Sequence, residues 1–235
     1  MRRTLCLLLL AAGLPAQQAP HVGLLRDDAG KLQRVMGLAG SFVVQDEPRG
    51  DVLSAAFSGR EALLKTADRL LVHNGQGRPL LDLPAPPGEA LFAFTRDGAA
   101  ALVWFASTRE LCRLPTGQAL RWEPGGEVLA IAWPRRAVVK RDGELWLIDR
   151  EIEVPLHGLQ APAALLTDGS IVVTRHAALL LIAPDGSERE IPLESAPDRI
   201  ETIGEDWLAV RAGGDWFALR LTPEPRLYPL PRSAR

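Results

Sequence analysis

A pattern of four short apolar runs, each closed by a turn, recurs five times along the chain and constrains the fold more than any other feature. "VLSAAFSGREALLKTADRLLVHNGQGRPLLDLP" begins at Val52 and "ALFAFTRDGAAALVWFASTRELCRLPTGQALRWEP" at Ala90. "VLAIAWPRRAVVKRDGELWLIDREIEVPL" follows from Val128, "PAALLTDGSIVVTRHAALLLIAPDGSEREIPL" from Pro162, and "RIETIGEDWLAVRAGGDWFALRLTPEPRLYPLP" from Arg199. The runs are rich in Leu, Val, Ile, Ala and aromatic residues, and Gly, Pro, Asp or Ser bounds each of them, which is the signature of short strands joined by tight turns. The third run starts at Leu70, Leu111, Leu145, Leu179 and Trp216, about one repeat apart each time. Prolines and Asp-Gly or Gly-Gly breaks interrupt the chain too often for an amphipathic helix, which needs ten or more uninterrupted residues.

Four strands per repeat at this period predict the blades of an all-β β-propeller. Each blade is a twisted antiparallel sheet that cannot bury both faces alone, so the blades must stack around an axis. The chain resembles the broad group of exported bacterial β-propellers with degenerate repeats, the seven-bladed YVTN type and its WD40-like relatives. The resemblance covers Val52 to Pro231 and rests on period and strand count. There is no Trp-Asp signature and no motif that carries an activity with it.

Before the repeats, "HVGLLRDDAGKLQRVMGLAGSFVVQDEP" offers "GLLRD" and "KLQRVM" as a hairpin and "SFVVQD" as a third strand. Six blades are therefore expected, with five as the alternative. Closure is expected to complete one blade with strands from both chain ends, which would hide an exposed sheet edge.

The first sixteen residues read as a secretory signal peptide. "MRR" is a positive start, "TLCLLLLAAGL" an apolar stretch too short for a stable membrane span, and "PAQQAP" a small-residue exit. Residues 17–235 then form a single exported domain, periplasmic or extracellular, with no membrane insertion. Loss of Arg2 and Arg3 changes the formal charge from −2 to −4. Cys112 would remain as the one cysteine, unable to form an internal disulfide. Of 27 Lys and Arg residues only Lys31, Lys65 and Lys140 are lysines, but 29 acids balance the scattered arginines. No basic stripe exists for nucleic acid.

In a four-stranded blade, strand A lines the channel and strand D lies outermost. The B–C turns and the D-to-A connections share one face of the ring. On that face Asp51, Glu89, Glu127 and Asp198 open four of the five first strands beside the channel mouth, and Gln160 opens the remaining one. Arg69, Arg109, Arg141, Arg175 and Arg211 lie in or beside the B–C turns, farther out. These residues are the candidate contacts, together with Trp104, which precedes a B–C turn beside Arg109; Trp and Arg are enriched at contact hot spots. Polar hairpin tips are also ordinary in soluble proteins, and the two rings can simply pair as surface salt bridges.

Catalytic chemistry is not evident. The first strands read "LSAAF", "LFAF", "LAIAW", "AALL" and "IETI", apolar except for Ser54, Glu201 and Thr202. The four histidines, His21, His73, His157 and His176, have no zinc spacing. Asp168, Ser170 and His176 share a repeat but no nucleophile-elbow sequence. "GLLRDDAGKL" has the outline of a phosphate loop, with its glycines wrongly spaced and Leu32 where a hydroxyl is required. No cofactor and no metal site are expected. The expectation is a monomeric, non-catalytic propeller binding a protein or cell-surface component through the B–C and D–A face. A hydrolase or lyase using the acidic ring on carbohydrate or peptide, and an architectural module of the envelope, are the alternatives.

Overall fold

The computed structural model describes residues 20–27, 29–47, 51–75, 77–204 and 206–231, and among these every regular element is a strand. The leader expected over residues 1–16 lies outside them. The first sheet is β1 (His21–Arg26), β2 (Leu32–Leu38) and β3 (Ser41–Asp46). The second is β4 (Ser54–Phe57), β5 (Glu61–Lys65), β6 (Arg69–Asn74) and β7 (Pro79–Pro84). The third is β8 (Ala90–Phe94), β9 (Ala101–Phe105), β10 (Glu110–Leu114) and β11 (Gln118–Leu120). The fourth is β12 (Glu127–Ala132), β13 (Arg136–Arg141), β14 (Glu144–Asp149) and β15 (Ile152–Pro155). The fifth is β16 (Gln160–Leu165), β17 (Ile171–Arg175), β18 (Ala178–Ile182) and β19 (Glu188–Pro192). The sixth is β20 (Pro197–Gly204), β21 (Trp207–Ala212), β22 (Asp215–Arg220) and β23 (Arg226–Pro229). Each sheet is an antiparallel meander of sequence neighbours.

The buried residues fall into six apolar clusters, each shared by two successive sheets. The alternation of a strand explains how. Ala130 and Ala132 of β12 pack toward the fifth sheet while Ile131 packs toward the third. Val138 and Val139 of β13 divide in the same way. Successive side chains point to opposite faces of a sheet, so a sheet buried on both faces needs continuous apolar runs. This is why "AVVK" and "IVVT" do not alternate with polar residues. Tight turns supply the reversals: Asp142 and Gly143 between β13 and β14 both have positive φ, 50° and 86°, the conformation that two-residue hairpins demand.

The ring closes between the first and sixth sheets, but not by strand exchange. The first sheet comes wholly from residues 21–46 and the last wholly from 197–229, which corrects the expectation of a blade mixed from both ends. The first sheet also has its own polarity. His21, at the start of β1, stacks on Phe57 at the end of β4 with ring centroids 4.3 Å apart. Arg26, at the end of β1, donates to the carbonyl of Leu53 just before β4. β1 therefore runs antiparallel to β4, as a B strand does. Its burial agrees: Val22–Leu25 are consecutively buried, like the B strands β5, β9 and β17. Among the described residues the three strands thus correspond to B, C and D of a blade, with no A strand before them. β4 and β20 meet in front of β1, and five described strands line the channel.

Candidate ligand-binding face

At the B–C and D–A face the channel opens into a cavity of about 260 Å³. Toward the other face it narrows to a cavity of about 50 Å³, the two meeting at Ala56, Phe92, Leu165 and Thr202. The wall carries the apolar character expected from the first strands: Leu129, Ile131 and Leu165 stand on one side of the upper cavity. On the other side four charged residues from three strands or their leads converge. Arg26 Nη2 donates to Glu89 Oε1 at 2.6 Å, and its Nη1 donates to the Leu53 carbonyl. Glu201 Oε2 accepts from the backbone N–H of Arg26 at 3.4 Å, and Oε1 pairs with Arg199. The Arg199 guanidinium lies 5.6 Å from the ring centroid of Trp216. Glu201 is recessed, its side chain 23% exposed. Burial raises its carboxyl pKa above the ordinary value, and the neighbouring Arg199 and Arg26 only partly oppose this.

Glu89 is the one expected acid that lines this cavity; the other three stand outside it. Asp51 and Glu127 are exposed on the same face, and Asp198 accepts from Arg211 Nε at 2.7 Å. It is a pairing between the inner and outer rings. Arg69 instead bonds Asp82 on β7 at 2.7 Å. Arg141 grips Glu153 on β15 with two bonds, 2.6 and 2.9 Å, and holds that carboxyl below its ordinary range. Arg175 reaches Glu188 on β19 at 3.3 Å. These three arginines therefore tie the B–C region of a blade to its own outer strand. Arg109 occupies an exposed turn position with φ 57°. Trp104 is buried, 2% exposed, and packs edge-on to Trp122 with centroids 5.8 Å apart.

Sequence reasoning singled out Glu201 as polar in an apolar wall but did not make it a site residue. Arg199 could have been found from the same signal, because residues two apart on a strand share a face. Arg26 had no such signal: it reaches the mouth only because the first sheet closes against the sixth.

The other sequence candidates are placed as follows. Asp168 Oδ1 and Oδ2 accept from the N–H and hydroxyl of Ser170 at 2.8 and 3.0 Å within one A–B turn. His176 lies at the opposite end of β17, in the B–C turn, so the three residues do not form a catalytic group. In the "GLLRDDAGKL" turn the Asp27 carboxylate accepts the N–H groups of Ala29 and Lys31 at 2.9 and 2.8 Å, the donors a phosphate would need. Burial, with Glu110 adding to it, pushes the Cys112 thiol up, which makes thiolate chemistry unfavourable. Lys65 is wholly buried, its ammonium donating to the carbonyls of Thr66 and Ala67 in its own B–C loop; burial lowers its pKa. Among the described residues no group of three His, Cys, Asp or Glu is placed to hold a metal ion. Nor is any helix among them long and apolar enough to cross a membrane.

No protein-family model matches the sequence, and no curated protein matches it. Solved structures do resemble the fold. PorZ of Porphyromonas gingivalis, described as an essential surface component of the type-IX secretion system, aligns with 93% of this chain at 12% identity and a TM-score of 0.53; this chain spans 39% of that protein's length. A streptogramin B lyase aligns over 94% of this chain and 86% of its own, at 12% identity and a TM-score of 0.50. YCF48, solved with a D1 peptide bound, aligns over 91% and 83%, at 14% identity and a TM-score of 0.50. At such identities the likeness is one of fold alone, and with the six closed sheets it establishes the chain as a six-bladed β-propeller.

Proposed function

We propose that this propeller is an exported, non-catalytic binding module that engages a protein or cell-surface component through the face bearing the channel mouth. The observation that carries the reading is the recessed quartet of Arg26, Glu89, Arg199 and Glu201 beside an apolar wall. Such a cavity, mostly apolar with a few converging polar groups, has the make-up of a recognition site. Exposed charges at Asp51, Arg109 and Glu127 lie on the same face and are placed to meet a partner's complementary groups, where reversing a charge sets like charges against each other. The solved likenesses lend support, since one is described as a bacterial surface component and another was solved with a peptide. The leader expected over residues 1–16 supports export.

Reversing two rim charges, Arg109→Glu together with Glu127→Lys, tests the reading. Partner recovered from cell-envelope material by the tagged protein should fall about tenfold, equivalent to about 1.4 kcal/mol, with the melting temperature unchanged. Undiminished recovery by a folded double variant overturns it. A hydrolase reading draws on one observation, a recessed carboxyl with raised pKa, which is the chemistry of a general acid. It requires hydrolysis of a glycan or peptide that Glu201→Gln abolishes.

A further inference from the structure

We propose that the channel mouth captures a chain end: the C-terminal residue of a partner polypeptide, its carboxylate meeting Arg26 and Arg199 and its apolar side chain resting on Leu129 and Leu165. The inference rests on the reading of this face as a binding surface and names what enters it.

Three observations lead there. The cavity has two unlike sides, charges from β1, β8 and β20 facing apolar residues of β12 and β16. A ligand that fills it must be charged at one end and apolar at the other. On the charged side two guanidinia face two carboxylates, and the bonds formed there leave some guanidinium N–H groups unused. Arg26 meets the Leu53 carbonyl and Glu89, and Arg199 meets Glu201. A guanidinium carries more N–H groups than these acceptors consume, and its fork geometry matches a carboxylate. The remaining donors at an accessible mouth therefore select an anion. Arg26 and Arg199 keep side-chain exposures of 18% and 24%, so the donors are reachable without unfolding.

Size and depth decide the source of that carboxylate. The cavity, about 260 Å³, lies below the range of about 300–1,000 Å³ usual for small-molecule sites. It suits one residue, not a sugar chain. The space beneath it is smaller, about 50 Å³, which favours a polypeptide that enters end-on over one that runs through. A terminus meets both conditions, and capture of a terminal carboxylate is an established mode of peptide recognition. The exposed rim then contacts the residues preceding the terminus.

Calorimetric titration of the full chain with four probes tests this: acetyl-Gly-Gly-Leu with a free carboxylate, its C-terminal amide, acetyl-Gly-Gly-Asp amide, and N-acetyl-leucine. The first should bind, and both amides should bind at least tenfold more weakly. N-acetyl-leucine should be weaker than the tripeptide, because it lacks the preceding residues. Arg199→Ala and Arg26→Ala should each weaken the tripeptide at least tenfold. Because those arginines also touch the seam between sheets, Leu129→Glu provides a second test from the opposite wall, expected to abolish binding with the fold retained by melting temperature. Equal binding of the leucine amide removes carboxylate recognition. Equal binding of N-acetyl-leucine removes the polypeptide as source. Absence of tripeptide binding at millimolar concentration overturns the proposal. If that failure coincides with loss of partner in the Arg109→Glu, Glu127→Lys variant, the binding face stands and only the chain-end assignment falls. If both fail, the face itself is not the binding surface.

Discussion

Glu201 carries two loads that pull in opposite directions. Its oxygens hold the N–H of Arg26 and the guanidinium of Arg199, yet burial keeps its carboxyl pKa above the ordinary value. In the pH range between its unfolded and folded pKa, the folded protein holds a proton on this group that the unfolded chain has released. Stability from that source is complete below the unfolded value and is lost as pH rises through the folded one. Urea unfolding across this range should therefore show the wild type losing stability with rising pH relative to Glu201→Gln. Parallel pH profiles for the two proteins would refute the assignment. Glu201 was conspicuous in the sequence as an acid inside an apolar wall, but its partners were not, since neither a raised pKa nor an ion pair is visible before the strands are placed.

At the scale of the element, the division of each strand between two interfaces governs what its residues can do. All five residues of β9 are buried. Leu102 and Trp104 pack toward the fourth sheet, while Ala101, Val103 and Phe105 pack toward the second. Trp104 is therefore a packing residue whose indole meets Trp122, not part of an open surface. Trp104→Ala should cost about 3–5 kcal/mol, the range for a large aromatic removed from a core, as measured by chemical denaturation. Binding at the mouth should survive under conditions where the variant is folded; a change below about 1 kcal/mol would contradict this packing. The strands themselves were plain in the sequence: the expected third runs begin one residue inside β6, β10, β14, β18 and β22. The directions of the arginines were not. Arg69, Arg141 and Arg175 turn to the outer strand of their own blade, and a turn residue's heading depends on an acid across the hairpin whose register only the folded sheet sets.

The whole molecule is decided at one seam. Adjacent blades elsewhere are joined by chain as well as by packing, whereas among the described residues the first and sixth meet through packing and the charged clasp. There the backbones approach so closely that a Cβ on Gly23 would stand 1.4 Å from the Ile203 carbonyl oxygen, and one on Gly204 2.3 Å from that of Val22. Such contacts with backbone cannot be relieved by a side-chain rotation. Gly23→Ala should destabilise the protein by about 3 kcal/mol or more. Trp207 and Trp216, which pack at this seam beside Phe42 and Val44, should report its opening as a red shift in emission. A variant with wild-type melting and emission would show that the seam is not closed in this way.

The sequence by itself determined the strand repeat and the apolar channel wall and favoured six blades over five, because these follow from local periodicity and from the need of a two-faced sheet to be covered. Tertiary structure alone decided that, among the described residues, the first blade begins at its B strand and closure shares no strand, and that Arg26 joins Glu89, Arg199 and Glu201 at the mouth. Those four residues span positions 26 to 201 of the chain, and no local propensity records which sheets come face to face when a ring closes.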